Sequence, residues 1–257
     1  MNRENVHLTD YGSQNPSTIA TILPTYPEFY GGSTQWWPVS GDHVFLYRLN
    51  PVRFEYFDRF MGTWKDVEVL DVGCGGGYVC EFLARRGAVV SGTDIMAEAI
   101  QEAHAHAAQE NLKIEYYPCT AEHLPFNDHT VDAVTCVDVL EHVSNKAQTL
   151  SEIHRVLKPG GWFFFDTFNK TLWSKFLILW LGERLIRFMA RGTHYWPYFI
   201  RPDDLRLLLE EADFGSVEFA GIEIARKARG KGGPPFTISP KGHTAVIYFG
   251  AARKPIC

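Results

Sequence analysis

The stretch Val69-Leu-Asp-Val-Gly-Cys-Gly-Gly-Gly77 decides how the rest of the chain is read. Val67–Val72 is a short, mostly apolar run bounded by a turn signal, the pattern of a buried strand. Glycines at 73, 75, 76 and 77 follow at once, and Tyr78–Arg86 reads as the next helix. Glycine lets the backbone approach a ligand closely and adopt positive φ, and the start of a helix offers unpaired N–H groups. A strand, a glycine turn and a helix in this order make a site for a nucleoside-bearing ligand. The loop reads Gly-Cys-Gly-Gly-Gly-Tyr and does not match the dinucleotide spacing GxGxxG. Asp71 precedes the turn, where it can face a cationic group. Asp94 closes the next expected strand, Val89–Thr93, where a carboxylate can accept from both ribose hydroxyls.

Outward from the loop, strands and helices alternate. A helix is expected over 50–62, with Asn50 as cap and Pro51 in the first helical position. Helices are expected over Ala97–Glu110 and Lys146–Leu157, the second closed by Lys158-Pro-Gly-Gly161. Strands are expected at Ile114–Pro118, Val131–Val137 and Trp162–Thr167. This order implies an α/β Rossmann-like fold with a mainly parallel sheet, helices on both faces, and a ligand site at the carboxyl ends of the strands. Residues 171–191 read as an aromatic helix and Pro202–Ala212 as an amphipathic one. Ser216–Phe249 reads as two strands joined by the basic, Gly/Pro-rich loop Arg226–Pro235. Residues 1–49 are expected to form an N-terminal arm or lid. Residues 50–257 form the main domain, with a lid insertion at about 170–200.

A net charge of −5 argues against nucleic acid as a partner, because phosphate binding needs a basic surface, and leaves a small molecule as the expected one. The five cysteines include no CxxC pair, which speaks against a zinc knuckle or a disulfide scaffold. Reduced thiols and a polar N-terminus without an apolar signal core fit a cytoplasmic setting. No apolar run reaches the ~18 residues of a membrane span.

Three stretches resemble the ubiquinone-biosynthesis O-methyltransferases, the UbiG-like family of class I S-adenosylmethionine (SAM)-dependent methyltransferases. The first is Trp36-Trp37, then Gly41 and Phe45, then Leu49-Asn-Pro-Val-Arg-Phe-Glu-Tyr56. The second is the glycine loop through Gly92-Thr-Asp94. The third is Val134-Thr-Cys-Val-Asp-Val-Leu-Glu-His-Val143, then Leu157-Lys-Pro-Gly-Gly161. It continues into Thr167-Phe-Asn169 and Gly192-Thr-His194 through Phe199-Ile-Arg-Pro202. Together they cover roughly residues 36–215. The resemblance implies a seven-stranded sheet and SAM contacts at Arg53, Gly73, Asp94 and Val137. A guanidinium at Arg53 can clamp the methionine carboxylate bidentately. Asp71, Gly75 and Ile95 belong to the same expected site, and Ala121 or Glu122 is expected along the adenine.

Asp138, Glu141 and His142 follow the fourth strand, where a substrate belongs. In a helical turn they share one face, and two carboxylates with an imidazole suit a divalent ion. The family has Glu, Glu and His at these places with a Mg²⁺-type ion; here the first is one methylene shorter. His142 can also serve as the general base. Deprotonating a free phenol of pKa ~10 at pH 7 costs roughly 4 kcal/mol, so the cluster points to a catechol-like acceptor, O-methylated with metal assistance.

Trp173, Phe176, Leu177, Trp180, Leu181, Leu185, Phe188 and Met189 form a broad stripe, with Lys175, Arg184, Arg187 and Arg191 adding positive charge. Such a helix can lie on an anionic lipid surface and meet a polyprenylated substrate; it can equally be a lid or a dimer face. Two other readings stay open. One is a specialised-metabolite O-methyltransferase on the same scaffold, and the other is a non-catalytic SAM-binding protein. The residues do not specify the oligomeric state.

Overall fold

The computed structural model describes residues 36–37, 43–186, 192–224 and 236–256. Most of the N-terminal arm, part of the aromatic stripe (Arg187, Phe188, Met189 and Arg191) and the basic loop Arg226–Pro235 lie outside the described residues.

Among the described residues, eight strands form one sheet: β1 Glu68–Val72, β2 Val89–Asp94, β3 Ile114–Pro118, β4 Val131–Cys136, β5 Leu157–Phe168, β6 Val217–Ile224, β7 Phe236–Ser239 and β8 Ile247–Arg253. The helices are α1 His43–Met61, α2 Tyr78–Ala84, α3 Ala97–Gln109, α4 Lys146–Val156, α5 Leu172–Ser174 and α6 Pro202–Glu211. A wide π-type helix, Lys175–Ile186, continues α5. The strand order is β3-β2-β1-β4-β5-β8-β6-β7. Pairs β1–β2, β1–β4, β2–β3 and β4–β5 are parallel. β8 runs antiparallel between β5 and β6. The order reverses between β1 and β4, and ligands of such sheets bind in the crevice at that switch point.

Burial on both faces explains why the strands read as apolar runs. Successive residues of β5 point to opposite faces. Phe164 joins the core under α1 with Phe57 and Phe54, while Phe163 and Phe165 join the other core with Leu205 and Leu209 of α6.

Three expectations are corrected. α1 begins at His43, so Asn50 and Pro51 lie inside it and Asn50 caps nothing; its side chain instead accepts from Arg53. β5 starts at Leu157 rather than Trp162. The Lys158–Gly161 segment is absorbed as a bulge, because Val131 pairs with Leu157 while Ala133 pairs with Trp162. The described part of the tail contributes three strands rather than two: Phe236–Ser239 pairs antiparallel with β6 and is the eighth described strand of the sheet.

Candidate active site

The glycine loop is pinned to the end of β2. The N–H groups of Gly73 and Cys74 both donate to the Thr93 carbonyl, at 2.7 and 2.8 Å. Asp94 continues the link: Oδ2 accepts from the Gly75 N–H and Oδ1 from the Met96 N–H, each at 2.9 Å. Burial raises the Asp94 pKa while these backbone donors hold it down. A carboxylate has about four acceptor sites, so Asp94 keeps capacity for ribose hydroxyls. Ile95 follows it at the mouth, half-buried.

Two positions show why the loop needs glycine. Gly73 has φ +74°, and a Cβ there would lie 2.3 Å from Val139 on the turn after β4. Gly75 has φ +50°, and a Cβ there would lie 2.4 Å from the Trp36 ring. The cofactor loop thus packs directly on the turn that carries the candidate chemistry and on the arm. The Trp36 carbonyl accepts from the Tyr78 hydroxyl. Trp37 Nε1 donates to the Gly76 carbonyl at 2.8 Å, and its ring stacks on His106 at 3.5 Å.

Asp71 is buried under the loop. It accepts from the Thr135 hydroxyl at 2.6 Å and from Cys80, and burial pushes its pKa up to about 7 against these hydrogen bonds. The Thr135 bond ties β1 to β4.

Arg53 is 1% exposed. Its Nε donates to Asp166 Oδ2 at 2.5 Å, Nη2 to Asp138 Oδ2 at 2.6 Å and Nη1 to Asn50 Oδ1 at 2.8 Å. Burial works against the cation, but Asp166 and Asp138 outweigh it and hold the guanidinium above its ordinary pKa. The expected carboxylate clamp is therefore engaged with two carboxylates of the chain itself. The Asp138 N–H donates to Asp166 Oδ1 at 2.8 Å, and Asp138 has φ +56°. A left-handed aspartate is uncommon, and such backbone clusters at functional turns.

The turn after β4 is tight rather than helical, closed by the His142 N–H on the Val139 carbonyl at 2.7 Å. It consequently splits the expected triad. Asp138 faces Arg53, while Glu141 and His142 meet His194 instead. Among the described residues, Glu141, His142 and His194 each bring a ligand atom to within 4.8 Å of one another. Glu141 is 2% exposed; its Oε2 accepts from Thr167 at 2.7 Å, and its buried Oε1 has no hydrogen-bond partner among the described residues. Burial, aided by Asp138, raises the Glu141 pKa to about 8. Burial, with help from His194 and Lys146, lowers that of His142 well below the ordinary range, so its imidazole is neutral at pH 7. An orphaned buried carboxylate oxygen beside two imidazoles fits a divalent cation, since a buried acceptor is costly to leave unmade.

Val137 is buried at the end of β4, and Ala121 packs at the edge of the core. Glu122 accepts from the Ser144 hydroxyl and the Asn145 N–H. Reading the sequence missed Asp166, Glu183 and His194. A lone acid in the apolar run Phe163-Phe-Phe-Asp166 was the available signal for the first, since an unpaired buried charge is so unfavourable that it implies a partner.

The described part of the aromatic segment turns four residues of its stripe outward. Ser174, Ile178 and Gly182 face the fold, while Trp173, Phe176, Trp180 and Leu185 are exposed. Phe176 and Trp180 stack at 5.2 Å. No described helix is long and apolar enough to cross a membrane.

The glycine loop, Asp94 and the strand order define a class I SAM-dependent methyltransferase. A methyltransferase domain model matches residues 70–165. The ubiquinone biosynthesis O-methyltransferase of Alkalilimnicola ehrlichii is 37% identical over 187 residues, covering 72% of this chain and 76% of that protein. That of Bordetella avium is 33% identical over 250 residues, covering 96% and 100%. The chain belongs to the ubiquinone biosynthesis O-methyltransferase family and is a SAM-dependent O-methyltransferase. Solved methyltransferases share the fold. The magnesium protoporphyrin IX methyltransferase of Synechocystis, with bound SAH, aligns over 81% of this chain and 84% of its own, with TM-score 0.56 and 20% identity. A SAM-dependent methyltransferase from Aquifex aeolicus covers 95% of this chain and 100% of its own, with TM-score 0.55 and 18% identity.

Proposed function

We propose that the chain methylates a phenolic oxygen of a catechol-type acceptor that carries an apolar, polyprenyl-like tail. One observation carries the reading: Glu141, with its orphaned Oε1, and His142 sit on the turn that touches the cofactor loop through Val139, and His194 closes the group from the segment before α6. The acceptor oxygen attacks the methyl carbon, the carbon–sulfur bond breaks, and its electron pair returns to the sulfonium sulfur. A sulfonium is already a good leaving group, so the protein's tasks are alignment and removal of the phenol proton. Fixing both partners in line can supply up to ~7–11 kcal/mol. The loop holds one partner and the turn after β4 the other, and their direct packing fixes the distance between them.

In the ion-free site neutral His142 offers its one lone pair to the acceptor's proton, directly or through water; with an ion bound that lone pair goes to the ion and the proton leaves to water. Glu141 and His142 belong to the set that would hold a divalent ion. When bound, such an ion would stabilise a vicinal phenolate by Lewis acidity. The exposed Trp173–Leu185 face would meet the acceptor's tail at a lipid surface, with the exposed Arg184 toward anionic headgroups.

The test is a set of catechols with and without an isoprenoid tail, with release of the demethylated cofactor as the readout. Turnover should favour the tailed catechol, vanish with a chelator and return with a divalent cation. Chelator-insensitive turnover would remove the ion from the mechanism. Transfer to none of the catechols would sink the acceptor class.

A further inference from the structure

We infer that the ion of this site is a first-row transition metal bound by Glu141, His142 and His194, with Glu183 as the residue that positions His194. This rests on the reading above that a divalent cation occupies the site. It departs from the set Asp138, Glu141 and His142 and from Mg²⁺.

His194 arrives from the segment before α6, 52 positions beyond His142 in the chain, and lies with its ring centroid 5.3 Å from that of His142. Its ring is held edge-on against Phe168 at 5.0 Å. Its side chain is 7% exposed and that of Glu183 is 5% exposed. The Glu183 carboxylate accepts from His194 Nδ1 at 2.9 Å, from the His194 N–H at 3.0 Å and from the Gly192 N–H at 2.7 Å. This pairing places the His194 proton on Nδ1 and leaves Nε2 as the coordinating nitrogen. A carboxylate behind a histidine is the usual support of a metal-bound imidazole.

Asp138 is withdrawn from the set by its 2.6 Å ion pair with Arg53. The remaining donors, two imidazoles and one carboxylate, suit Zn²⁺, Fe²⁺, Co²⁺ or Mn²⁺. Mg²⁺ prefers an all-oxygen shell rich in water. Glu183 lies on the same π-type helix as the exposed aromatic face, so binding the ion also fastens that helix to the catalytic turn.

The experiment is a Co²⁺ titration of the full chain, read by visible absorption. Wild type should develop the intense bands of a four- or five-coordinate nitrogen-rich site, resistant to a large excess of Mg²⁺. His194→Gln should weaken Co²⁺ by about 100-fold or more, and Glu183→Gln by about 10-fold. Asp138→Asn should keep the wild-type Co²⁺ affinity. Unchanged SAM affinity in His194→Gln shows that the variant is folded. If that variant does not fold, the Glu183→Gln titration decides. Wild-type Co²⁺ affinity in the His194 and Glu183 variants, or ready displacement by Mg²⁺, overturns this inference alone. Absence of Co²⁺ binding by wild type overturns it together with the metal part of the proposed function.

Discussion

Arg53 and Asp166 lie 113 residues apart and meet at 2.5 Å in the buried interior of the molecule, joining α1 to β5. The Asp166 carboxylate also holds the Asp138 N–H, so one buried acid orients both Arg53 and the turn after β4.

Removing that acid leaves a guanidinium buried with less counter-charge. Asp166→Ala is expected to destabilise the protein by about 3–5 kcal/mol, measured as a shift in the urea midpoint at pH 7. A loss below 1 kcal/mol would show that the pair does not organise the core. Asp138→Asn should cost less, because Asp138 is partly exposed and Arg53 keeps Asp166.

Gly75→Ala forces a side chain into a left-handed backbone and toward the Trp36 ring. The backbone strain alone is about 1–2 kcal/mol, close to a tenfold change in an equilibrium. SAM affinity, measured by calorimetry, should fall by about tenfold or more. Adding Trp36→Ala relieves the contact but not the strain, so the double variant should recover only in part. Full recovery would mean that the φ of Gly75 is irrelevant to binding.

Glu141 makes stability depend on pH in the metal-free protein. Its folded pKa, about 8, lies above an unfolded value of about 4.3. The native state therefore holds the proton more tightly. The stabilisation is complete below about pH 4.3 and is lost as pH rises through about 8. With chelator present, the unfolding free energy of wild type from urea titration should fall relative to Glu141→Gln between pH 5 and 9, by a few kcal/mol at about 1.4 kcal/mol per pH unit. A difference that stays flat with pH would mean that Glu141 ionises normally.

The outward aromatic face gives a prediction independent of the chemistry. Trp173→Ser with Trp180→Ser removes two exposed indoles, 65% and 50% accessible, that no described contact buries in a core. Each large apolar group transferred from water is worth about 1.5–3 kcal/mol. Sedimentation with anionic vesicles should show binding by wild type and a loss of at least about tenfold in the variant. Equal binding by both proteins would remove this face as a lipid contact.

The local layers of this protein were legible in its sequence because they depend on local physics. The strand before the glycine loop, the loop, Asp94 and the alternation of strands and helices follow from apolar runs, glycine spacing and chain order. The boundaries that failed, at Asn50 and at Lys158–Gly161, were set by pairing partners far along the chain. The candidate site divides in the same way. Glu141 and His142 stood out as adjacent chemistry on one turn. Which third residue joins them depended on a left-handed Asp138 whose carboxylate is claimed by Arg53, and on a helix that carries Glu183 to His194. Sequence spacing places side chains only within one regular element. Where the backbone leaves helical geometry and buried charges choose partners more than 50 residues away, the three-dimensional packing decides.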